Sequence, residues 1–176
     1  MLQTPRLDLV PAGLGHLEAE LRGPGFLADL LGAKVPGDWP PGEYDRGAIA
    51  FFRARLLEGG TGVEAWYSWY GITRDGLGRR DCLVAAAGFF GPPARGRVEI
   101  GYSVVPSARG RGFAGEMVGA LVARAFGDPE VGEVVAHTSR ANLPSIRLLA
   151  ACGFEVVGPG DDPGMDRYLK RRIPLN

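Results

Sequence analysis

The 176-residue sequence predicts one α+β domain, sandwich-like, with a mixed and largely antiparallel sheet of about six or seven strands flanked by helices. Three observations predict it. Apolar runs of strand length recur along the chain, separated by turns rich in Gly, Pro and Arg. Three of these runs follow one another at 64–73, 81–90 and 96–105, the pattern of an antiparallel meander. Around them lie segments whose apolar residues keep a helical 3.6-residue period. No repeat, low-complexity tract or composition shift marks a boundary, so residues 1–176 read as a single domain.

In chain order, RLDLVP (6–11) is a strand ended by Pro11. Residues 14–31 carry leucines at helical spacing, and Gly23-Pro24-Gly25 divides them into two short helices. VPGDWPPGEYD (35–45) is a turn-rich loop holding Trp39. Ile49, Phe52 and Leu56 share one face of a helix that stops at Gly59-Gly60. After the meander, a helix runs from about Gly112 to Phe126 with Phe113, Met117, Val118, Leu121, Val122 and Ala125 inward, and GDP at 127–129 stops it. EVVAHT (133–138) is a strand. NLPSIRLLAAC (142–152) is a short helix with Asn142 placed to cap it, Pro144 in its first turn and Gly153 past its end. GFEVVG and DRYLKRR close the chain as strands, and 91–96 and 158–164 are surface turns.

Composition excludes several classes. Twenty Lys and Arg balance twenty Asp and Glu, so no basic field invites nucleic acid. Cys82 and Cys152 lie far apart and make neither a metal-ligand pair nor a disulfide framework, so a reducing cytoplasm is the expected setting. MLQTPRLDL lacks a cationic stretch followed by an apolar core, so no secretory leader is expected, and runs such as CLVAAAGFF are too short to cross a bilayer. His16 and His137 have no neighbours in sequence that complete a metal site or a Ser–His–Asp set; His137, near a strand end, reads as structural, and no metal is expected.

The stretch VVPSARGRGFAGEMVGALV (104–122) carries the chemistry. Two glycines alternate with two arginines where a strand-like run gives way to a helix. Glycines let backbone N–H groups approach a ligand closely, and N–H groups at a helix start attract anions. Arg109 and Arg111 add donors suited to phosphate. The set calls for a diphosphate. Gly110, Gly112 and Gly115 match G-x-G-x-x-G, but PSAR separates the strand from the first glycine, and Glu133 precedes the next strand instead of ending it. A P-loop needs Gly-Lys-Ser/Thr, which the chain lacks.

The segment VEIGYSVVPSARGRGFAGEMVGALV resembles the acyl-CoA-binding motif of the GNAT acetyltransferase superfamily, and SRANLPSIRLLAACGFEVVG is similar to that family's Asn-x-x-Ser…Leu…Gly-Phe unit, matched at Asn142, Ser145, Leu149, Gly153 and Phe154. TPRLDLVP and EIGYSV are similar to the branch that holds the ribosomal-protein N-terminal acetyltransferases. The resemblance implies an acyl-CoA N-acyltransferase fold and acetyl transfer from acetyl-CoA to a primary amine, on a protein N-terminus or a small molecule, by direct attack in a ternary complex. It implies that Arg109, Gly110, Arg111, Gly112, Phe113 and Ala114 hold the pyrophosphate, that the backbone of Val104 and Val105 meets pantetheine and the oxyanion, and that Asn142 and Ser145 contact the cofactor or serve their helix start.

Glu99 is the general-base candidate, since strand alternation sets it with Gly101 and Ser103, opposite Val98, Ile100, Tyr102 and Val104. The other reading of Glu99 is a solvated strand charge paired with Arg97. Leu149 stands where many relatives carry a tyrosine, which leaves thiolate protonation to Ser145, to water or to nothing, and keeps a non-catalytic acyl-CoA-binding or sensor domain in play. Cys152 reads as structural. Trp39, Trp66, Tyr67, Trp69 and Tyr70 read mainly as core, with an aromatic acceptor wall as the other option. Similar proteins commonly form homodimers; no interface pattern is readable in this sequence.

Overall fold

The structure, a computed structural model, describes residues 1–60 and 62–173. Its strands are β1 (Leu2–Gln3), β2 (Leu7–Pro11), β3 (Ser68–Arg74), β4 (Arg80–Phe89), β5 (Arg97–Val104), β6 (Glu133–Ser139), β7 (Glu155–Pro159) and β8 (Met165–Arg171). The helices are α1 (Leu14–Arg22), α2 (Pro24–Leu31), α3 (Arg46–Gly59), α4 (Phe113–Gly127) and α5 (Leu143–Ala151). All eight strands form one sheet in the order β1-β2-β3-β4-β5-β6-β8-β7. The expected meander is present, since β3 pairs antiparallel with β4 and β4 with β5. β5 and β6 run parallel, as a strand–helix–strand crossover through α4 requires.

Two details differ from expectation. The sheet has eight strands because β1, two residues long, pairs Leu2 with Leu9 and Gln3 with Asp8; a strand that short shows no alternation. The strand expected from residue 64 starts at Ser68. Residues Glu64–Trp66 form a 3₁₀ turn, closed where Tyr67 N–H donates to Glu64 C=O and Trp69 Nε1 donates to Ala65 C=O. Aromatic density along WYSWY concealed that turn.

The sheet's two faces bury different helices. Trp69, Ala85, Ala87, Phe89, Val98 and Ile100 pack under α4 and α5, while Tyr70, Ile72, Leu83 and Ala86 pack under α1, α2 and α3. Alternation along each strand sorts them, except on β4, where the register shift between Gly71↔Ala85 and Ile72↔Leu83 turns Leu83 to the face opposite Ala85. The six inward residues read from the period of α4 are all at most 4% exposed, and burial of each of the five larger than Ala125 stabilises by roughly 1.5–3 kcal/mol relative to exposure. Gly88 answers to a close approach, because a Cβ there would lie 2.0 Å from the Tyr67 carbonyl oxygen. Among the described residues no helix is long and apolar enough to cross a membrane.

What positions the site is a wedge. β5 and β6 pair from Arg97↔Glu133 to Glu99↔Val135 and no further, although β5 continues to Val104 and β6 to Ser139. The central sheet is therefore open on one side of β5 from Ile100 onward.

Candidate active site

Backbone parity decides what the wedge presents. Val105 N–H donates to Val84 C=O, and Glu99 C=O accepts from Phe90 N–H, so odd positions of this segment direct their polar groups at β4. Ile100, Tyr102 and Val104 direct theirs the other way, into the wedge. A groove of about 590 Å³ begins there, passes over the turn before α4 and ends against the start of α5. Buried N–H and C=O groups are otherwise nearly always paired, so an unpaired strand edge inside the protein is a ready seat for an amide-bearing chain.

At the far end of the groove, Gly110 and Gly112 take φ of +73° and +81°, and Gly112 caps α4. Both angles lie in the left-handed region that favours glycine. They turn the chain so that the unbonded N–H groups of the first turn of α4 point outward, with the positive end of the helix dipole behind them. Arg109 Nε donates to Val104 C=O at 3.1 Å, which holds that guanidinium across the groove. The loop at 35–45 reaches the same turn, where Asp38 accepts from Ser107 N–H at 2.8 Å.

On the other side of Tyr102, a polar cleft of about 270 Å³ is lined by Glu99, His137, Asn142, Ser145 and Asp162, among others. His137 Nδ1 lies 2.9 Å from Glu99 Oε1, and Arg167 Nε lies 3.2 Å from His137 Nε2. A third, smaller cavity of about 100 Å³ opens between α3 and the sheet. Tyr102 borders all three spaces. The wedge thus joins an anion-holding turn to a carboxylate through a strand edge with free amides.

Residues 27–155 match the family model described as acetyltransferase (GNAT) domain, most of the chain. The chain belongs to the GNAT acetyltransferase family. It is similar to YjdG of Bacillus subtilis, an uncharacterized N-acetyltransferase, at 28% identity over 88% of this chain and 89% of that one. It is also similar to the FsC-acetyl coenzyme A-N(2)-transacetylase of Aspergillus fumigatus, at 27% identity over 95% of this chain and 74% of that one. An acetyltransferase structure from Agrobacterium tumefaciens shares the fold, with a TM-score of 0.65 at 21% identity over 97% of this chain and 94% of that one.

Within this GNAT domain, the structure gathers Val104, Arg109, Gly110, Gly112, Phe113, Ala114, Asn142 and Ser145 along the one groove. Phe113 contributes little more than its backbone, because its ring is 3% exposed and packs in the core. Two expected residues lie elsewhere. Val105 is buried, and both of its backbone groups are spent, the N–H on Val84 and the C=O on Ala108. Arg111 points away from the groove, stacked over Phe113 at 4.9 Å, in a depression shared with Arg6 and Asp81. Asn142 caps α5, its Oδ1 accepting from Ser145 N–H at 3.2 Å.

Glu99 is paired, but not with Arg97. Arg97 and Arg171 both bond Glu133, and the partner of Glu99 is His137. His137, read as structural from sequence, lines the cleft. Tyr102 was missed as a site residue. Its phase, shared with Ile100 and Val104, had placed it on the core face, and the wedge is what exposes it. Its hydroxyl lies 3.5 Å from Ser145 C=O, and burial raises its pKa above the phenol value, which keeps it a hydrogen-bond donor through the neutral range. Leu149 is fully buried under the sheet, and Cys152 packs against the same core, where burial pushes its thiol pKa up. Of Trp39, Trp66, Tyr67, Trp69 and Tyr70, the last three are buried in the core. Trp39 Nε1 (2.6 Å), Tyr44 OH (3.0 Å) and Tyr70 OH (2.6 Å) all donate to Glu20, which anchors the 35–45 loop on α1. Burial raises the Glu20 pKa even against those three donors.

Proposed function

We propose that this protein transfers the acetyl group of acetyl-CoA to a primary amine, by direct attack of the neutral amine on the thioester while both are bound. The observation that carries the reading is the run of unpaired N–H groups on β5, at Tyr102 and Val104, opening onto a groove that ends at the N-terminus of α4. The first turn of α4 receives the pyrophosphate, with Arg109 beside it. Pantetheine takes the place of a strand along the open edge of β5. Val104 N–H then donates to the thioester oxygen, where negative charge develops as the tetrahedral intermediate forms.

Glu99 takes the proton of the attacking amine through water, and Tyr102 OH hydrogen-bonds the departing thiolate in place of the tyrosine that Leu149 displaces. An α-amine, with a pKa of roughly 8, is easier to deprotonate than a lysine amine at roughly 10.4. With the likeness of TPRLDLVP and EIGYSV to the ribosomal-protein branch, this favours a protein N-terminus over a lysine side chain. The buried Leu149 favours a second reading, a domain that binds acyl-CoA without turnover. Thiol release from acetyl-CoA across an amine and peptide panel separates the two, with calorimetric titration of CoA run in parallel. Turnover supports transfer; tight CoA binding without turnover supports the sensor; no heat with CoA removes both.

A further inference from the structure

The cavity between α3 and the sheet is built unlike the polar cleft beside it. Its walls are Phe52 from α3, Phe90 after β4, Ala48, Ala86 and Gly101, and its volume is about 100 Å³. The Phe52 and Phe90 rings stand 6.2 Å apart. Among the described residues that line it, Glu43 alone is charged. Glu43 is exposed at the rim that this cavity shares with the Glu99 cleft. Tyr44 OH, at the wall, is committed to Glu20. Ser68 also borders the cavity, but it is 2% exposed and its hydroxyl is buried beside that of Tyr44.

We propose that this cavity is the side-chain subsite of the acceptor, and that the acceptor is a primary amine carrying a compact uncharged group, aryl or branched alkyl. The proposal rests on the acetyl-transfer reading and deepens it. The location supports it, because the cavity meets the Glu99 cleft at Gly101 and Tyr102 and the cofactor groove at Tyr102 and Ser103. An amine between Glu99 and the thioester therefore has this space within reach of its substituent. The chemistry supports it too. A second ammonium driven between Phe52 and Phe90 would lose its water and find no carboxylate inside, so a diamine of the same length is rejected. Glu43, outside the apolar part, suits the arriving ammonium instead of the tail.

The test is acceptor selectivity, read as kcat/KM from thiol release. Free amines (phenethylamine, tyramine, 1,4-diaminobutane) form one arm, and short peptides beginning with Phe, Ser or Lys form the other, so the two sources of the same chemistry are told apart. The neutral-tailed amines should exceed the diamine by at least about tenfold. Ala86→Leu fills the cavity from the sheet and Ala48→Leu from the half-buried face of α3; each should lower the phenethylamine-to-propylamine ratio about tenfold while CoA affinity stays unchanged. If Ala86→Leu does not fold, Ala48→Leu decides alone. A diamine preference, or an unchanged ratio in folded variants that bind CoA, overturns the subsite. If CoA binds and nothing turns over, acetyl transfer fails by itself, and calorimetry of the same amines against the CoA complex decides the subsite: phenethylamine heat lost in Ala48→Leu supports it, and heat unaltered overturns it.

Discussion

His137 Nδ1 sits 2.9 Å from Glu99 Oε1, one strand over, while its Nε2 faces Arg167 Nε at 3.2 Å. A guanidinium has only donors, so Nε2 must offer its lone pair and the proton must reside on Nδ1. In that tautomer Nδ1–H donates to Glu99, which fixes one carboxylate oxygen and leaves the other free for water or an amine. Glu99→Gln should lower kcat by about a hundredfold, the low end for losing a general base, and leave CoA affinity intact. His137→Ala should lower kcat several-fold and distort its pH profile, and His137→Asn, which keeps a donor, should restore part of the loss. An unaltered kcat and pH profile in His137→Ala would reduce the pair to a strand-to-strand brace.

Tyr102→Phe tests the leaving-group side. Among the described residues Tyr102 alone borders the groove, the polar cleft and the α3 cavity, and its hydroxyl lies 3.5 Å from Ser145 C=O at the groove's far wall. Its loss should lower kcat about tenfold with little effect on acetyl-CoA KM, and the deficit should shrink with acyl donors whose thiols are more acidic and depart unaided. A rise in KM alone would make Tyr102 a binding residue.

The sequence displays what is local. The α4 stripe, the glycine turn at 110–112, the Asn142 cap and the meander all rest on periods or spacings within about a dozen residues, and all are where the pattern puts them. What it conceals is pairing across strands. Arg97 is two residues from Glu99 and so looks like its partner, but β6 brings Glu133 to Arg97 and His137 to Glu99. Tyr102 was concealed for a related reason: its phase is that of a core residue, and only the halt of β5–β6 pairing at Glu99↔Val135 makes it a site residue. Likewise, nothing in the order of residues says that the Val105 amide is spent on Val84 while the Val104 amide is open.

Asp8 gives the acid limb of stability. It is 5% exposed on β2 and accepts from Arg74 Nη1 at 2.8 Å, Arg80 Nε at 3.3 Å and Gln3 Nε2 at 3.1 Å. Burial alone would raise its pKa; the hydrogen bonds from Arg74, Arg80 and Gln3 outweigh it and hold the carboxyl below its ordinary value of 3.8. A folded pKa below the unfolded one means that the unfolded chain binds the proton more readily. The stabilisation is therefore complete above the unfolded pKa and is lost as pH falls through the folded one. Asp8→Asn should cost about 2 kcal/mol in urea melts at pH 7, and the gap should close as the pH is taken well below 3.8. An equal gap at both ends would mean that the charge on Asp8 contributes nothing.

The opening TPRL has a structural reason that connects it to the glycine turn at 110–112. Glu116, in the first turn of α4, accepts from Thr4 Oγ1, from Arg6 N–H at 2.7 Å and from Arg6 Nε at 2.8 Å, and Arg6 Nη1 donates to Arg111 C=O at 2.8 Å. Burial would raise the Glu116 pKa, but those hydrogen bonds lower it on balance, so the clamp stays ionised at neutral pH. Arg6 is half exposed, and an ion pair of that kind contributes only about 0.2–1 kcal/mol to folding. Its larger effect is positional, because it pins the carbonyl between Gly110 and Gly112 while those glycines hold positive φ. Arg6→Ala should therefore leave the melting temperature nearly unchanged and raise the CoA dissociation constant about tenfold, with acceptor KM unmoved. Gly112→Ala forces a side chain into φ +81° and sets a Cβ 3.3 Å from Arg6 Nη2, so it should weaken CoA further. If Arg6→Ala binds CoA as the parent does while Gly112→Ala does not, the turn holds its shape through its glycines alone and the N-terminal strand serves only the fold.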